Sequence, residues 1–545
     1  MSLVDLTLGG LLDEKALKHP DHEAVVYPEK GIRWSYLEFS QRVDGAAKGL
    51  MALGIEKGEH IAIWSDNKPE WVTTQFATGK MGAVLVTVNT NYQAQELEYL
   101  LKQSDATTLI LTESFKGTSY IDILNELCPE LAESEKGELV SKRLPKLKNI
   151  IVLSDHTQPG CYTWNELVQL GVSRVSNQML EERKNDLGSH EVINMQYTSG
   201  TTGFPKGVML SHYNIVNNGK QVGDCMNLTE EDRLCIPVPL FHCFGCVLGT
   251  LAAVSHGSTM VVIEQFDPKA VLQAVSNENC TALHGVPTMF IAELNHPEFD
   301  QFDLSHLRTG IMAGSNCPIE VMKDVMEKMG MTEITITYGQ TESSPAITQT
   351  KTDDPLERKV SSVGKAHPNV EVKIVEPGTN EEVERYQPGE LCTKGYHVMK
   401  GYYQNEEETK KAIDEDGWLH TGDIAIMDDE GYVQITGRMK DMVIRGGENI
   451  YPREIEEFLY THPDILDVQV IGVPDSKYGE EVMAWIIPKE GVELTKQDIQ
   501  GFCHQKIARH KIPKYIEFID QYPMTASGKV QKYKLREKAE AILTP

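Results

Sequence analysis

Short β-rich segments alternate with helical segments along the first half of the chain, and this alternation restricts the possible folds more than any other feature. His60–Trp64 and the segments 83–88 and 108–112 are short apolar runs, which is typical of buried strands. The segments 69–80 and Ala94–Gln103 lie between them and have helical periodicity, and the first begins with proline. Such alternation predicts a parallel sheet covered by helices, and therefore an α/β fold.

Two further predicted strands each lead into a polar loop. Apolar and polar residues alternate from Ile193 to Tyr197 before a glycine-rich loop begins, and they alternate again from Ile334 to Tyr338 before Gly339 interrupts the pattern. In open α/β sheets, ligands bind beyond the carboxyl ends of the strands. We therefore expect both loops to reach one site, where a nucleotide would bind.

The chain is too long for a single hydrophobic core, and its composition changes after Gly437. It has 545 residues, which predicts at least two domains. We place the boundary so that residues 1–437 form a large domain and residues 438–545 a small one. The small domain is predicted to contain a helix at 453–460, strands at 468–473 and 482–487, and a helix at 496–509.

Composition and termini argue against several classes of protein. The formal net charge of -28 argues against nucleic-acid binding, which needs a basic surface. The N-terminus lacks the basic cluster of a secretory signal, and the longest apolar run, residues 243–254, is too short for a transmembrane segment. The ten cysteines are scattered, so we expect reduced thiols and a cytoplasmic protein. A homodimer is one oligomeric state that the sequence leaves open.

The sequence YTSGTTGFPKGV, which begins at Tyr197, has the composition of a polyphosphate-binding loop. Glycines let backbone N–H groups approach an anion closely, hydroxyl groups add donors, and a lysine adds positive charge. It is not a Walker loop, because Pro205 takes the place of the second glycine and Lys206 precedes Gly207 instead of a hydroxyl residue. An ordinary glycine-rich turn is the alternative. The predicted phosphate-binding residues are Thr198, Ser199, Gly200, Thr201, Thr202, Gly203 and Lys206.

This loop resembles the phosphate-loop signature of the adenylate-forming enzymes, which include acyl-CoA synthetases, amino-acid-activating domains and beetle luciferases. The resemblance implies a large N-terminal domain with doubly wound sheets and a small barrel, followed by a small, hinged C-terminal α+β domain. It also implies that the protein uses ATP, Mg²⁺ and coenzyme A, with a small-molecule carboxylic acid as the substrate. Further motifs of the family follow in the same order between roughly residues 190 and 530.

The sequence YGQTE, at the end of the second predicted strand, resembles the next signature of this family. The resemblance implies that Thr341 contacts the α-phosphate and that Glu342 helps to hold the metal ion. It also assigns Tyr338, Gly339 and Gln340 to the nucleotide site. A carboxylate suits its role, because Mg²⁺ is a hard ion that binds oxygen ligands. Taken alone the segment is a weak signal, since many strands end in a polar turn.

Two looser motifs resemble the adenine- and ribose-binding segments of the family. Gly314 and Ser315 follow the predicted strand Thr309–Met312, and small residues let the backbone lie against a flat base. The sequence WLHTGD ends at Asp423, whose carboxylate would accept hydrogen bonds from the ribose hydroxyls. The resemblance implies that Arg438 joins it there. A plain turn is the alternative for either motif.

Two lysines in the last part of the chain match family positions. The resemblance implies that Lys440 is the hinge and that Lys529, in the sequence PMTASGK, is the catalytic lysine. Rotation about the hinge would withdraw Lys529 and bring Gly446, Gly447 and Glu448 to the coenzyme A site. A lysine in a polar loop is usually only solvated, so these assignments depend on the other motifs.

The sequence FHCFGC, which begins at Phe241, has two interpretations. Cys243 and Cys246 have the CxxC spacing of zinc or redox sites. No second cysteine pair stands at a suitable spacing, however, and the surrounding residues are apolar. We instead expect Phe241, His242 and Val286 to form the wall of an acyl pocket, as the resemblance implies.

These motifs predict a two-step ligase. A carboxylate attacks the α-phosphate of ATP to give acyl-AMP and pyrophosphate, and the thiol of coenzyme A then displaces AMP. The segments 248–253 and 284–290 are apolar, and the whole pattern is most similar to the medium-chain fatty acyl-CoA synthetase branch. We therefore predict a medium- or long-chain fatty acid as substrate. The alternatives are an aryl-acid CoA ligase, a luciferase-like adenylating oxygenase and a non-catalytic nucleotide-binding module.

Overall fold

The computed structural model describes residues 2–198, 205–315, 317–445, 448–475, 477–504, 506–525 and 528–543. It confirms the α/β fold. His60–Trp64, Ala94–Gln103 and Thr309–Met312 have the predicted bounds, and the helix predicted at 69–80 is Pro69–Met81. Proline lies in the first turn of that helix, and Gly82 ends it with a left-handed φ of 79°.

The larger mixed sheet is parallel through its centre and antiparallel at both edges. Thr309–Met312 pairs in parallel with Ala282–Gly285 on one side and with Glu333–Gly339 on the other. The segments that follow these strands therefore leave the sheet at the same edge. The spatial order of the strands is Lys365–Ala366, Ala346–Gln349, Glu333–Gly339, Thr309–Met312, Ala282–Gly285, Arg233–Ile236, Thr259–Val262, Glu23–Tyr27 and Ile32–Ser35.

The second mixed sheet carries the phosphate loop. Val192–Thr198 pairs in parallel with Val84–Thr87 and antiparallel with Lys206–Ser211, so the two strands that flank the loop form a hairpin. The spatial order of the strands is Gly401–Tyr402, Lys206–Ser211, Val192–Thr198, Val84–Thr87, His60–Trp64, Thr108–Leu111, Asn149–Val152 and Tyr162–Thr163. A short hairpin of Ser114–Phe115 and Thr118–Ser119 stands apart from it.

Helices connect the strands, and many of them begin at a side-chain cap. Ser35, for example, accepts a hydrogen bond from the backbone N–H of Glu38, whose side chain completes a capping box. None of the helices in the described part of the chain combines the length and the apolar composition needed to cross a membrane. The α-helices are Leu8–Lys18, Tyr36–Ala52, Pro69–Met81, Ala94–Gln103, Tyr120–Leu127, Trp164–Arg174, Asn177–Asn185, His212–Cys225, Thr250–His256, Pro268–Asn277, Pro287–Leu294, Ile319–Lys328, Leu356–Ser361, Glu406–Ala412, Pro452–Tyr460, Lys496–Cys503 and Lys532–Leu543. Shorter 3₁₀ turns are Pro28–Lys30, Pro129–Glu133, Phe299–Gln301, Thr341–Ser343 and Arg509–Lys511, and Phe244–Gly249 is a π-helix.

An antiparallel sheet completes the large N-terminal domain, and its four described strands pair as an open sheet where a small barrel was predicted. Its last two strands place Asp423 directly opposite Arg438. The strands follow one another in space in the order Val370–Val375, Gly389–Gly395, Leu419–Met427 and Val433–Arg438.

The C-terminal α+β domain has its own hydrophobic core. Ile455, Val468 and Val482 are buried on one face of its sheet, and Trp485 and Leu535 are buried on the other. A separate core is what a small domain needs to keep its own structure. The strands have the spatial order Glu448–Ile450, Val443–Arg445, Gly479–Pro488 and Ile465–Asp475, and Tyr515–Phe518 pairs with Gly479–Pro488.

One predicted helix of this domain is wrong in length. The helix expected at 496–509 ends at Cys503, because His504 has an extended backbone with φ of -61° and ψ of 130°. Ile507 packs against the same core from the loop beyond the helix. Its apolar side chain therefore continues the helical spacing in the sequence, although the backbone has already left the helix.

Candidate active site

The phosphate hairpin brings Thr198 and Lys206 opposite each other at the point where its strands meet the loop. The parallel neighbour Val84–Thr87 fixes the direction in which the loop leaves the sheet. The structure therefore places the base of the predicted phosphate loop. The predicted residues Ser199, Gly200, Thr201, Thr202 and Gly203 lie outside the described residues.

Lys206 makes two contacts with one neighbouring segment. Its Nζ lies 2.8 Å from Oε2 of Glu408 and 4.4 Å from the ring centroid of Tyr402. The short strand Gly401–Tyr402 pairs with the second strand of the hairpin, which holds this segment in place. Hydrogen bonds from Lys206 and Lys411 lower the pKa of Glu408 to about 2, so its carboxylate is ionised at neutral pH.

The polar turn that follows Gly339 is packed tightly against the chain. A side chain at Gly339 would place its Cβ 1.8 Å from the carbonyl oxygen of Pro345, so only glycine fits. The backbone N–H of Gln340 donates to the same carbonyl oxygen at 3.0 Å. A 3₁₀ turn then presents Thr341 and Glu342 in succession.

A tyrosine from a distant part of the chain orients Glu342. The hydroxyl of Tyr402 donates a hydrogen bond to Oε1 of Glu342 at 2.9 Å, and the backbone N–H of Met399 donates to the Glu342 carbonyl oxygen at 2.9 Å. Burial, together with the Glu342 carboxylate, raises the pKa of Tyr402, so the hydroxyl keeps its proton. Tyr402 therefore joins Lys206 and Glu342 through its ring and its hydroxyl.

The structure brings together three side chains that were predicted for the nucleotide site. Oδ2 of Asp423 accepts a hydrogen bond from the hydroxyl of Tyr338 at 2.7 Å, and its Oδ1 lies 3.3 Å from Nε of Arg438. Burial raises the pKa of Asp423, and the positive charge of Arg438 opposes this rise. The Asp423 carboxylate in turn raises the pKa of Arg438.

A second polar cluster supports the segment that leads to this aspartate. Nδ1 of His420 lies 3.0 Å from Oε2 of Glu390 and 3.4 Å from Sγ of Cys392, and its Nε2 lies 3.5 Å from Oδ2 of Asp414. Oε1 of Glu390 accepts a hydrogen bond from the backbone N–H of Gly422 at 3.0 Å. These side chains are of types that bind metals. Because the imidazole already bridges two carboxylates, we assign the cluster to holding the backbone at Gly422.

Gly314 leaves a space beside the predicted catalytic lysine. Its φ of 92° favours glycine. A Cβ at this position would lie 3.1 Å from Cγ1 of Val286 and 3.4 Å from Cε of Lys529. The next residue, Ser315, is exposed. The predicted adenine segment and the predicted acyl wall therefore meet at the stem of Lys529.

Lys529 reaches the site from the C-terminal domain on a hydrogen-bonded turn. Its backbone N–H donates to Oγ1 of Thr525 at 2.9 Å, and the N–H of Thr525 donates to the Lys529 carbonyl oxygen at 2.7 Å. Gly528 has a φ of 80°, and its carbonyl oxygen accepts a hydrogen bond from the hydroxyl of Thr288 at 3.2 Å. Because Thr288 lies on the helix Pro287–Leu294, this bond joins the two domains.

Several charged groups surround the ammonium group of Lys529. Burial lowers the pKa of Lys529, and the positive charge of Arg438 lowers it further. The negative charges of Asp423 and Glu342 act in the opposite direction. Groups predicted for the metal, the ribose and catalysis therefore act electrostatically on one another in a single cleft.

His242 is a neutral residue of this cleft. Burial, with a contribution from the charge of Lys529, lowers the pKa of His242 to about 3. Its Nδ1 accepts a hydrogen bond from the backbone N–H of Phe244 at 3.2 Å. The neutral ring therefore carries its proton on Nε2, which can donate to a substrate oxygen.

The two cysteines with CxxC spacing have different neighbours. Sγ of Cys243 lies 3.8 Å from Oγ1 of Thr341, whereas Sγ of Cys246 accepts a hydrogen bond from Nε2 of Gln196 at 3.3 Å. Burial raises the pKa of Cys243 to about 11, so the thiol is protonated at neutral pH. Cys243 thus contributes a compact, uncharged surface beside the predicted α-phosphate residue.

The two apolar segments predicted for the acyl group touch each other. Nε2 of His284 donates to the carbonyl oxygen of Leu248 at 2.9 Å, and its ring lies 5.5 Å from that of Phe244. Val286 is buried, and Phe241 packs against the same core. The structure therefore brings the predicted wall residues into one apolar region beside Lys529.

Models of one enzyme family match both parts of this chain. The AMP-binding enzyme model matches residues 12–403, and the model of the AMP-binding enzyme C-terminal domain matches residues 454–529. The first match alone covers more than half of the chain. The chain belongs to the AMP-binding enzyme family.

The relatives of this AMP-binding enzyme align over nearly its whole length. YngI of Bacillus subtilis (strain 168), provisionally named an acyl-CoA synthetase, is 61% identical over 98% of this chain and 97% of its own. The mitochondrial medium-chain acyl-CoA ligase ACSF2 of Bos taurus is 44% identical over 100% of this chain and 89% of its own. ATP-bound MatB from Rhodopseudomonas palustris is 27% identical, with a TM-score of 0.84 over 99% of this chain and 100% of its own.

The predicted hinge and coenzyme A residues of this AMP-binding enzyme are described only in part. Lys440 lies between the last strand of the antiparallel sheet and the first strand of the C-terminal domain. Glu448 begins the next strand of that domain. Gly446 and Gly447 lie outside the described residues. The roles of these residues remain predictions.

Two residues of the site were not predicted from the sequence. Glu408 is 202 residues away from its partner Lys206, and Tyr402 is 60 residues away from its partner Glu342. Neither residue lies in a motif of the adenylate-forming enzymes that the sequence contains. The only available signal was the sequence GYY shortly before an acidic run, and it carries no spacing rule.

Proposed function

We propose that this AMP-binding enzyme is an ATP-dependent acyl-CoA synthetase that activates a medium- or long-chain fatty acid. The family and the acyl-CoA ligase names of its relatives support this function. The observation that carries it is the position of Lys529, which comes from the C-terminal domain and interacts electrostatically with Glu342, Asp423 and Arg438.

In the first half-reaction, a carboxylate oxygen of the acid attacks the α-phosphorus of ATP. A new P–O bond forms, the bond from the α-phosphorus to the bridging oxygen breaks, and pyrophosphate leaves. Negative charge gathers at the α-phosphate, where the ammonium group of Lys529 would stabilise it. Thr341 would donate its hydroxyl there as well. Preorganised donors of this kind are usually the largest single contribution to catalysis.

The protonation of Lys529 is coupled to nucleotide binding in this proposal. Burial lowers the pKa of Lys529 in the structure described here. The phosphates of ATP bring negative charge close to the ammonium group, and nearby negative charge favours the protonated form. ATP would therefore stabilise the charge state that the first half-reaction needs.

We propose that Glu342 holds Mg²⁺ when ATP is bound. The residue fits this role, because a carboxylate is the hard ligand that the ion prefers and because Tyr402 fixes its orientation. The ion would supply positive charge to the phosphate oxygens. Lys206 and the hydroxyl of Thr198 would add donors from the protein on the hairpin side.

The nucleoside would bind between the remaining predicted residues. Asp423 would accept hydrogen bonds from the ribose hydroxyls, and the charge of Arg438 favours the ionised form of the buried carboxylate. The bare backbone at Gly314 would lie against adenine. Tyr338 already donates to Asp423 and would fix the position of that carboxylate during binding.

In the second half-reaction, the thiol of coenzyme A would attack the acyl carbon and AMP would leave. In this proposal, Lys529 lies in the space that the incoming thiol must use. We propose that the C-terminal domain rotates about Lys440, which withdraws the lysine and brings Gly446, Gly447 and Glu448 to the site. His242 is neutral and would donate from Nε2 to the acyl oxygen.

We propose the class of acyl substrate from the residues that line the cleft. Val286, Phe241 and the contact of His284 with Leu248 form an apolar region, which suits an aliphatic tail. The residues from Phe241 to Phe244 include no acid that would hold the ammonium group of an amino acid. A fatty acid therefore fits better than an amino acid.

A pyrophosphate-release screen tests this function. The full chain is incubated with ATP, Mg²⁺ and a ladder of straight-chain acids, with aryl acids as a parallel series, each with and without coenzyme A. We expect AMP and pyrophosphate with medium or long fatty acids, and an acyl-CoA product when coenzyme A is present. Release of ADP with every acid would contradict the proposal. A preference for aryl acids would show that the enzyme is an aryl-acid CoA ligase and not a fatty acyl-CoA synthetase.

We also propose a cytoplasmic location. All ten cysteines are free, which fits a reducing compartment. We retain homodimer formation as a prediction that light scattering of the purified protein would test.

A further inference from the structure

The segment from Tyr402 to Thr409 forms a compact unit beside the phosphate hairpin. The backbone N–H of Tyr402 donates to Oγ1 of Thr409 at 2.9 Å, and the N–H of Glu408 donates to Oδ1 of Asn405 at 3.2 Å. These bonds fix the aromatic ring and the carboxylate relative to each other. Both groups face Lys206, which lies at the base of the phosphate loop.

The Lys206–Glu408 pair is accessible to a ligand. The two side chains are 23% and 32% exposed, so neither is sealed in the core. Glu408 is ionised at neutral pH, and hydrogen bonds from Lys206 and Lys411 lower its pKa to about 2. A negative oxygen is therefore already placed at 2.8 Å from the ammonium group, where a phosphate oxygen would compete for the same donor.

We propose that Glu408 is a positioning residue that holds Lys206 beside the phosphate loop before ATP binds, and that the polyphosphate then takes Lys206 from it. This inference rests on the proposed function, which assigns Lys206 to the phosphates of ATP. Tyr402 supports the side chain of Lys206 in both states, because an aromatic face attracts a cation without supplying a full negative charge. Glu408 thus keeps the lysine in place at the expense of some affinity for ATP.

Binding titrations with Glu408→Gln test the proposal without any acid or coenzyme A. We expect ATP and inorganic pyrophosphate to bind about two- to fivefold more tightly than to the unchanged protein, the range expected for an exposed ion pair that need no longer be broken. AMP should bind equally well to both proteins, since Lys206 is expected to reach only the outer phosphates. Calorimetry at one fixed magnesium concentration measures all three constants.

Glu407→Gln is the matched control. Glu407 lies on the same helix and makes the same kind of contact with Lys411, but it has no ion pair with Lys206. This variant removes the same charge from the same surface and should leave the binding of ATP unchanged. Equal tightening in both variants would show a general effect of net charge and would overturn the proposal.

The Glu408→Gln substitution in a Lys206→Gln protein distinguishes two effects of Glu408, which are competition for Lys206 and direct repulsion of the phosphates by its carboxylate. In a Lys206→Gln protein, Glu408→Gln should have no further effect on ATP or pyrophosphate binding. Persistence of the gain there, tighter binding of AMP, or weaker binding of ATP in the single variant would each contradict the role of Glu408. The titrations contain no acid, so a failed acid screen would defeat the proposed function and leave this result standing.

Discussion

Two lysines enter the proposed nucleotide site by different routes, and their surroundings differ. Lys206 stands on the hairpin of the N-terminal domain, where it is partly exposed and paired with Glu408 at 2.8 Å. Lys529 arrives from the C-terminal domain on a short turn, and burial lowers its pKa. The first ammonium group is balanced by a nearby carboxylate, whereas the second lies among both positive and negative groups.

In the proposed mechanism, the charge of Lys206 stays at the nucleotide site in both half-reactions, whereas the charge of Lys529 is withdrawn between them. Lys206 belongs to a sheet whose strand pairing does not depend on the C-terminal domain. The turn that carries Lys529 contacts the N-terminal domain through the hydrogen bond from Thr288 to Gly528 at 3.2 Å. The two half-reactions need the α-phosphate charge at different times. In the proposed mechanism, a lysine on a rotating C-terminal domain meets this need, and a lysine on the hairpin does not.

Removal of the mobile charge should have the largest effect. Lys529→Ala should slow acyl-AMP formation by at least about 10²–10³, the usual effect of losing one preorganised donor. Thioester formation from supplied acyl-AMP should fall much less, because the proposed rotation withdraws the lysine before that step. Rapid-quench assays of each half-reaction measure the two rates.

Lys534→Ala is the control for this comparison. Lys534 is an exposed residue of the last helix, and its ammonium group lies over the ring of Tyr533. The Lys534→Ala substitution removes a positive charge from the same domain and should leave the rates of both half-reactions unchanged. Equal losses of both half-reactions in Lys529→Ala would remove the distinction between the two lysines.

Restriction of the proposed hinge should produce the opposite pattern. Lys440→Pro fixes φ at that residue and limits the preceding one. We expect acyl-AMP formation to be retained and thioester formation to fall by about 10², the loss typical of a misplaced reactant. Single-turnover transfer from supplied acyl-AMP to coenzyme A is the measurement. Normal transfer would show that the rotation occurs elsewhere.

Local patterns in the sequence predicted the strands and much of the site, and contacts across long separations account for what they missed. His60–Trp64 and Thr309–Met312 were predictable because a short run of apolar residues indicates a buried strand. The pairing of Asp423 with Arg438 was predicted from the family resemblance and not from spacing, since a strand register determines it. Glu408 was missed because its role depends on a partner 202 residues away. A sequence pattern indicates which segments are buried more clearly than it indicates which distant residues those segments contact.

Loss of the permanent charge should be milder than loss of the mobile one. Lys206→Gln should raise the ATP KM by about tenfold, the lower end for one hydrogen bond to a charged group. Both half-reactions should keep their rates at saturating substrate. Lys220→Gln is the control, since Lys220 forms a comparable partly buried pair with Asp224 at 2.7 Å. A large fall in kcat with an unchanged KM would place Lys206 at the reacting centre.

The smallest expected effect is on the alkaline side of the pH profile, and it tests the surroundings of Lys529 directly. Its pKa is lowered, so the ammonium form is lost as pH rises through a value below the ordinary one near ~10.4. Because kcat/KM reports the free enzyme, acyl-AMP formation measured in this way should decline by a few fold there. Lys529→Arg keeps its charge throughout, so the decline should disappear, while Lys206→Arg should retain it. A decline that persists in Lys529→Arg would assign the titration to another group and would leave the two lysines without this difference.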